Sequence, residues 1–168
     1  MKNVVSKKSN RRSSLFARVV ALIEEARQKV ASVANLAQVY TNYEIGRQIV
    51  EEEQGGKRRA DYGKQVLIDL SSRLSSRFGR GFSVDNLQNM RSFYLAYSAI
   101  EIYETPSSKS SGENYETLSR KFTLSWSHYV LLMRISDPVE RAFYERDATQ
   151  GNWSFRQLER MYRTSTFE

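Results

Sequence analysis

Residues 61–97 read DYGKQVLIDLSSRLSSRFGRGFSVDNLQNMRSFYLAY, and the fold turns on how this stretch divides. Tyr62, Val66, Leu67, Leu70, Leu74 and Phe78 recur at three- and four-residue spacings, the period of one helical face. They predict a helix from Asp61 to about Ser76, with Arg73 and Arg77 one turn apart beside the apolar stripe. Gly79 and Gly81 supply the φ > 0 positions that a tight reversal needs. Ser83 is a good N-cap for a second helix reaching about Ile100. On it Leu87, Met90, Tyr94 and Tyr97 face inward, leaving Asn86, Gln88, Asn89 and Ser92 on the polar side. Helix, glycine turn, helix is the layout of a helix-turn-helix unit.

Outward from this unit the chain reads as helical almost throughout. Residues 1–12 are polar and basic without periodicity, which predicts a disordered arm. A helical pattern begins at Ser13 or Ser14, either able to cap it, with Leu15, Val19, Leu22, Ile23, Ala26 and Val30 on one stripe. A second stripe, from Val33 through Leu36, Tyr40, Tyr43 and Ile45 to Ile49, runs to Glu51-Glu52-Glu53 and is broken at Gly55-Gly56. Whether the two stripes make one helix or two is left open. Residues 105–117, with Pro106, Gly112 and many serines and threonines, predict a flexible loop. Phe122-Thr123-Leu124 is a short strand or simply extended chain. Ser125 caps a helix to about Ile135, and Asp137-Pro138 opens another, with Asp at N-cap and Pro at the first helical position. A last helix begins at Asn152 or Ser154 and carries Phe155, Leu158, Met161 and Tyr162 on one face. The expected architecture is all-α or nearly so, with residues 13–168 as one helical domain.

The chain has 168 residues, 40% apolar and 27% charged, the balance of a soluble globular protein long enough to bury a core. It has no Cys, which excludes disulfides and thiolate metal sites and points to a reducing, cytoplasmic compartment. No apolar run approaches the roughly 20 residues that span a bilayer. Net charge is +7, and its distribution says more than its size. Residues 1–12 contribute +5 and residues 57–91 another +5, while the stretches 13–56 and 92–168 are mildly acidic. Clustered basic charge is the electrostatic footprint of a polyanion binder; its bland alternative is a solvated, solubilising surface.

Catalysis has no visible constellation. A nuclease of the PD-(D/E)XK type needs carboxylates that hold a divalent metal and a Lys two residues after one of them. No Glu or Asp of this chain has a Lys at that spacing. A single His and no Cys leave no set of ligands for catalytic zinc, and no phosphate-binding glycine loop or nucleophile elbow is present. No metal or cofactor is expected. His128 reads first as a hydrogen-bonded packing residue, and Trp126, Trp153, Phe143, Tyr144 and Phe155 as the core of the C-terminal helices.

The candidates for function lie in the central window. A second helix seated in the major groove would bring Asn86, Gln88, Asn89 and Arg91 to base edges, Asn or Gln to adenine and Arg to guanine. Lys57, Arg58, Arg59, Arg73, Arg77 and Arg80 would meet phosphates, a role without sequence information. The alternative is that the amides face solvent and Arg91 pairs with an acid.

Several segments in order resemble one family. They are Tyr43-Glu44-Ile45-Gly46-Arg47-Gln48-Ile49, Tyr62-Gly63-Lys64, Phe78-Gly79-Arg80-Gly81-Phe82-Ser83 and Asn86-Leu87-Gln88-Asn89-Met90-Arg91-Ser92-Phe93-Tyr94. Trp126-Ser127-His128-Tyr129 and Trp153-Ser154-Phe155-Arg156-Gln157-Leu158-Glu159-Arg160 complete the series. Together they make residues 15–168 similar to the N-terminal domain of the bacterial YhcG family, which precedes a PD-(D/E)XK nuclease domain. Asn42-Tyr43 stands where the family has a Tyr-Trp pair, a change of packing. The resemblance implies a winged-helix-like module that delivers a nuclease to DNA and is not catalytic by itself, with DNA as its partner. The nuclease domain, in cis or in trans, would be a second partner, and no part of it is expected in this chain. A protein-interaction adaptor that docks the nuclease domain or a partner subunit is the competing reading, and it predicts an exposed apolar patch around Trp153 and Phe155.

Overall fold

The computed structural model describes residues 3–55, 60–101 and 122–164, with side chains from 15–55, 62–98 and 122–164. The loop expected at 105–117 and the Lys57-Arg58-Arg59 triplet lie outside the described residues. Those described form six helices and no strand: α1 (Asn3–Gly55), α2 (Ala60–Phe78), α3 (Val84–Glu101), α4 (Trp126–Leu132), α5 (Pro138–Gln150) and α6 (Phe155–Arg163). Phe122-Thr123-Leu124 is extended chain, and no β-wing is found among the described residues.

The two apolar stripes before Gly55 belong to one helix, because no Pro or Gly falls between them to break it. The helical backbone also takes in residues 3–12, where the composition predicts a disordered arm. That segment has no Pro or Gly to break a helix, and Lys and Arg are good helix formers. The molecule divides into two compact units at Asn35 and Leu36. In the first, Leu15, Phe16, Val19, Leu22, Ile23, Val30 and Val33 are all exposed, Phe16 to 73%.

The second unit holds the core. Phe93 of α3 lies at its centre, with ring centroids 4.8–5.8 Å from Tyr43, Tyr97, Phe122, Trp126 and Tyr129. Such tilted and edge-on pairs add about 0.5–1.5 kcal/mol each beyond the area they bury. Leu36 and Val39 of α1 join this cluster, and Leu132, Ile135, Tyr144, Ala148 and Leu158 extend it through the C-terminal part of the chain. A smaller cluster of Ile49, Leu67, Leu87 and Met90 joins α1, α2 and α3. The close approach of α1 to α3 depends on Gly46, where a Cβ would overlap the Met90 carbonyl.

The caps fall where side-chain chemistry puts them. Asp137 accepts from the Val139 N–H at 2.8 Å with Pro138 in the first turn. Ser154, not Asn152, starts α6, through a capping box in which Gln157 Oε1 accepts from the Ser154 N–H at 2.7 Å. Ser125 is the N-cap residue of α4, but its hydroxyl makes no capping bond and lies 2.6 Å from His128 Nδ1 and 2.9 Å from Ser127 Oγ. The other imidazole nitrogen lies 3.0 Å from the Trp153 carbonyl, which only accepts, so Nε2 carries a proton. His128 therefore ties α4 to the start of α6.

Candidate nucleic-acid interface

The unit expected from residues 61–97 is α2, a turn at 79–83, and α3. Gly79 sits at φ 79° and its N–H donates to the Ser75 carbonyl at 3.0 Å, closing α2 with a left-handed cap. Gly81, at φ 117°, completes the reversal. Ser83 then caps α3, its hydroxyl accepting from the Asn86 N–H at 3.2 Å. A Cβ on Gly79 or Gly81 would meet nothing within 4 Å, so the turn opens into solvent.

Three of the expected phosphate-contacting residues share this corner. Arg73 and Arg77 are exposed one turn apart on α2, and Arg80 is exposed in the turn. None of the three is ion-paired to a carboxylate among the described residues. The Arg77 guanidinium lies over the Phe78 ring, 5.3 Å from its centroid. Phe78 itself departs from the sequence expectation of an inward-facing residue, being 60% exposed. The apolar partners on α3, Leu87 and Met90, meet α2 at Leu67, Leu70 and Leu74, one turn short of Phe78. Phe82 packs against that cluster instead, and its ring stands 6.0 Å from that of Phe78.

The four expected base-edge residues separate into two pairs. Gln88 is exposed and Asn89 half-buried on the first turns of α3. Asn86 is committed within the fold: its amide donates to the Gly81 carbonyl and its oxygen accepts from Trp126 Nε1 at 3.1 Å. It thus ties the turn to α4. Arg91 donates from Nε to Glu53 at 2.7 Å, a pair with 30% and 17% of its side chains exposed. That ion pair joins α3 to α1, which is the alternative weighed for Arg91 from the sequence. The Asn86–Trp126 and Arg91–Glu53 contacts have no local signal, since the partners lie 40 and 38 positions away.

The other polar cluster of note is internal. Glu145 of α5 accepts from Tyr97 Oη at 2.8 Å. Burial pushes the Glu145 carboxyl above its ordinary range, against the Tyr97 hydrogen bond and the charge of Arg141. Burial and the same carboxylate push the Tyr97 and Tyr129 hydroxyls up in turn. Among the described residues, no group of three or more His, Asp and Glu is arranged to hold a metal ion, and no helix is long and apolar enough to cross a membrane. The apolar patch that an adaptor would show around Trp153 and Phe155 is small: Trp153 is half-buried over Gly151, and Phe155 is 37% exposed with its ring against His128.

No solved structure gives a significant match to this chain. A protein of Escherichia coli (strain K12) described as "Putative nuclease YhcG" is 39% identical over 165 residues, covering 89% of this chain and 44% of its own length. The chain thus spans less than half the length of the curated relative it matches. Residues 18–168 match the DUF1016 N-terminal domain, a span that takes in the corner of exposed arginines, the Glu53–Arg91 tie and the aromatic core. The chain belongs to the DUF1016 N-terminal domain family.

Proposed function

We propose that this domain binds DNA through the α2–turn–α3 unit, used as a helix-turn-helix, and serves as the non-catalytic targeting module of a nuclease. One observation carries the reading: Arg73, Arg77 and Arg80 stand exposed at one corner of the unit, without carboxylate partners among the described residues. Unpaired guanidinium groups at a solvent-open turn are free to meet phosphates. In this reading Gln88 and Asn89 reach base edges from the first turns of α3. Asn86 and Arg91 act indirectly, by holding the turn and the helix in place. Lys57, Arg58 and Arg59 keep a phosphate role by charge alone. The nuclease link rests on the description of the Escherichia coli relative, whose remaining length would hold the catalytic part.

The test is fluorescence anisotropy with labelled duplex DNA across a salt series, comparing the chain with Arg73→Ala/Arg77→Ala/Arg80→Ala. Steep weakening with salt, flattened by the substitutions, is the expected result. A duplex that stays unbound by micromolar protein at low salt would falsify the reading.

A second reading, an adaptor that docks the nuclease domain or a partner subunit, is favoured by a different surface from the one expected. Half of the exposed large apolar residues among those described lie on α1 between Leu15 and Val33. Seven large apolar side chains along one helix are more than the single, scattered ones usual on a soluble surface.

A further inference from the structure

We propose that Phe78 is a stacking platform for an unpaired base, so that the corner of exposed arginines recognises DNA where a duplex gives way to single strand. This rests on the DNA-binding reading and adds the substrate class to it. Three observations meet at the residue. Phe78 is 60% exposed, whereas Val66, Leu67, Leu70 and Leu74 of the same stripe are buried or half-buried. Its surroundings are cationic, with the Arg77 guanidinium over the ring and exposed Arg73 and Arg80 on either side in sequence. The glycines that follow leave open space, as no atom beyond their own chain neighbours lies within 4 Å of where their Cβ atoms would be.

The chemistry selects the ligand. Bases inside a duplex are stacked on both faces and offer nothing to a ring at a protein corner. An unpaired base at an overhang, gap or junction has a free π-face, and its flanking phosphates match the arginines. The contact that such a base would displace is weak. An exposed cation–π pair like Arg77 over Phe78 contributes about 0.5–1 kcal/mol. Base–aromatic stacking contributes about 1–3 kcal/mol. The exchange therefore favours the base, and Arg77 is released to a phosphate. Phe82 backs the ring at 6.0 Å and is itself seated on the α2–α3 cluster, which gives the platform a fixed support. An apolar protein partner fits this corner less well, because the one exposed ring is bordered by positive charge.

The experiment uses the whole chain with two probes of the same sequence, a blunt duplex and a duplex with a short 3′ overhang carrying 2-aminopurine next to the junction. Binding is read by anisotropy and stacking by 2-aminopurine quenching. Phe78→Ala should weaken overhang binding by roughly five- to a hundredfold and abolish the added quenching, with blunt-duplex binding unchanged. Phe78→Tyr should retain both signals and Phe78→Leu neither, so ring stacking is separated from apolar bulk and from any loss of fold. A Phe78→Ala protein that binds both probes like the parent, or weakens on both equally, overturns the platform while leaving duplex binding intact. A parent chain that binds neither probe overturns the DNA reading itself, and the platform with it.

Discussion

At the scale of single residues, the structure separates side chains that look alike in the sequence. Asn86 and Gln88 are both polar residues on the first turns of α3, yet one is spent on the fold and the other faces solvent. Glu145 shows the same separation among acids. It is held by Tyr97, and burial raises its pKa above the unfolded value of about 4.3. A carboxyl raised in the folded state gives a contribution that is complete below the unfolded pKa and lost as pH rises through the folded one. Chemical denaturation between pH 4 and 8 should therefore show Glu145→Gln gaining on the parent as pH rises through that window. The substitution keeps an acceptor for Tyr97 but removes the ionisation. A difference between the two proteins that stays flat with pH would mean that Glu145 titrates alike in both states.

Between elements, the decisive contact is the crossing of α1 and α3 at Gly46. A methyl group there would overlap the Met90 carbonyl, and both sides of the contact are backbone. Gly46→Ala should cost at least about 2 kcal/mol despite alanine's better helix propensity. Calorimetry should show Tm falling by roughly 4–8 °C, and an unchanged Tm would mean that the helices part without penalty. The two halves of α1 should also differ in protection. Residues from Leu36 to Val50 include five buried apolar side chains, while the stripe from Leu15 to Val33 is exposed. Hydrogen exchange should be slow in the first and fast in the second, since most helical stability comes from tertiary packing. Equal protection in both would mean that the stripe is covered, as the adaptor reading requires. Several helix ends are legible in the sequence because they depend on neighbours: Asp137-Pro138, Ser154 with Gln157, and Gly79 are local signals. The exposure of Phe78 is not, because it depends on where α3 stops covering α2. The Arg91–Glu53 and Asn86–Trp126 ties are hidden for the same reason, each joining residues brought together only by folding.

For the whole molecule, the net charge of +7 conceals two separate sources, +5 in residues 1–12 and +5 in residues 57–91. Both attract a polyanion, but only the second is tied to a particular geometry. The salt dependence of the proposed DNA binding would distinguish them, since each phosphate neutralised on duplex DNA contributes about 0.9 to the slope of log K against log salt. Removing Arg73, Arg77 and Arg80 together should lower the slope by somewhat under three, the limit if each meets one phosphate. Removing residues 1–12 should lower it by at most about 4.5, weakening binding to every probe by the same factor. The ratio of overhang to blunt affinity should survive that truncation and fall only when Phe78 is replaced. If the two losses add, the windows act as independent contacts on one ligand, since distant sites combine without coupling. If truncation removes the whole slope and the arginine substitutions none, the polyanion-binding charge lies in the first twelve residues. The corner at Phe78 then has no phosphate to hold a base against it, and α2 leaves the interface.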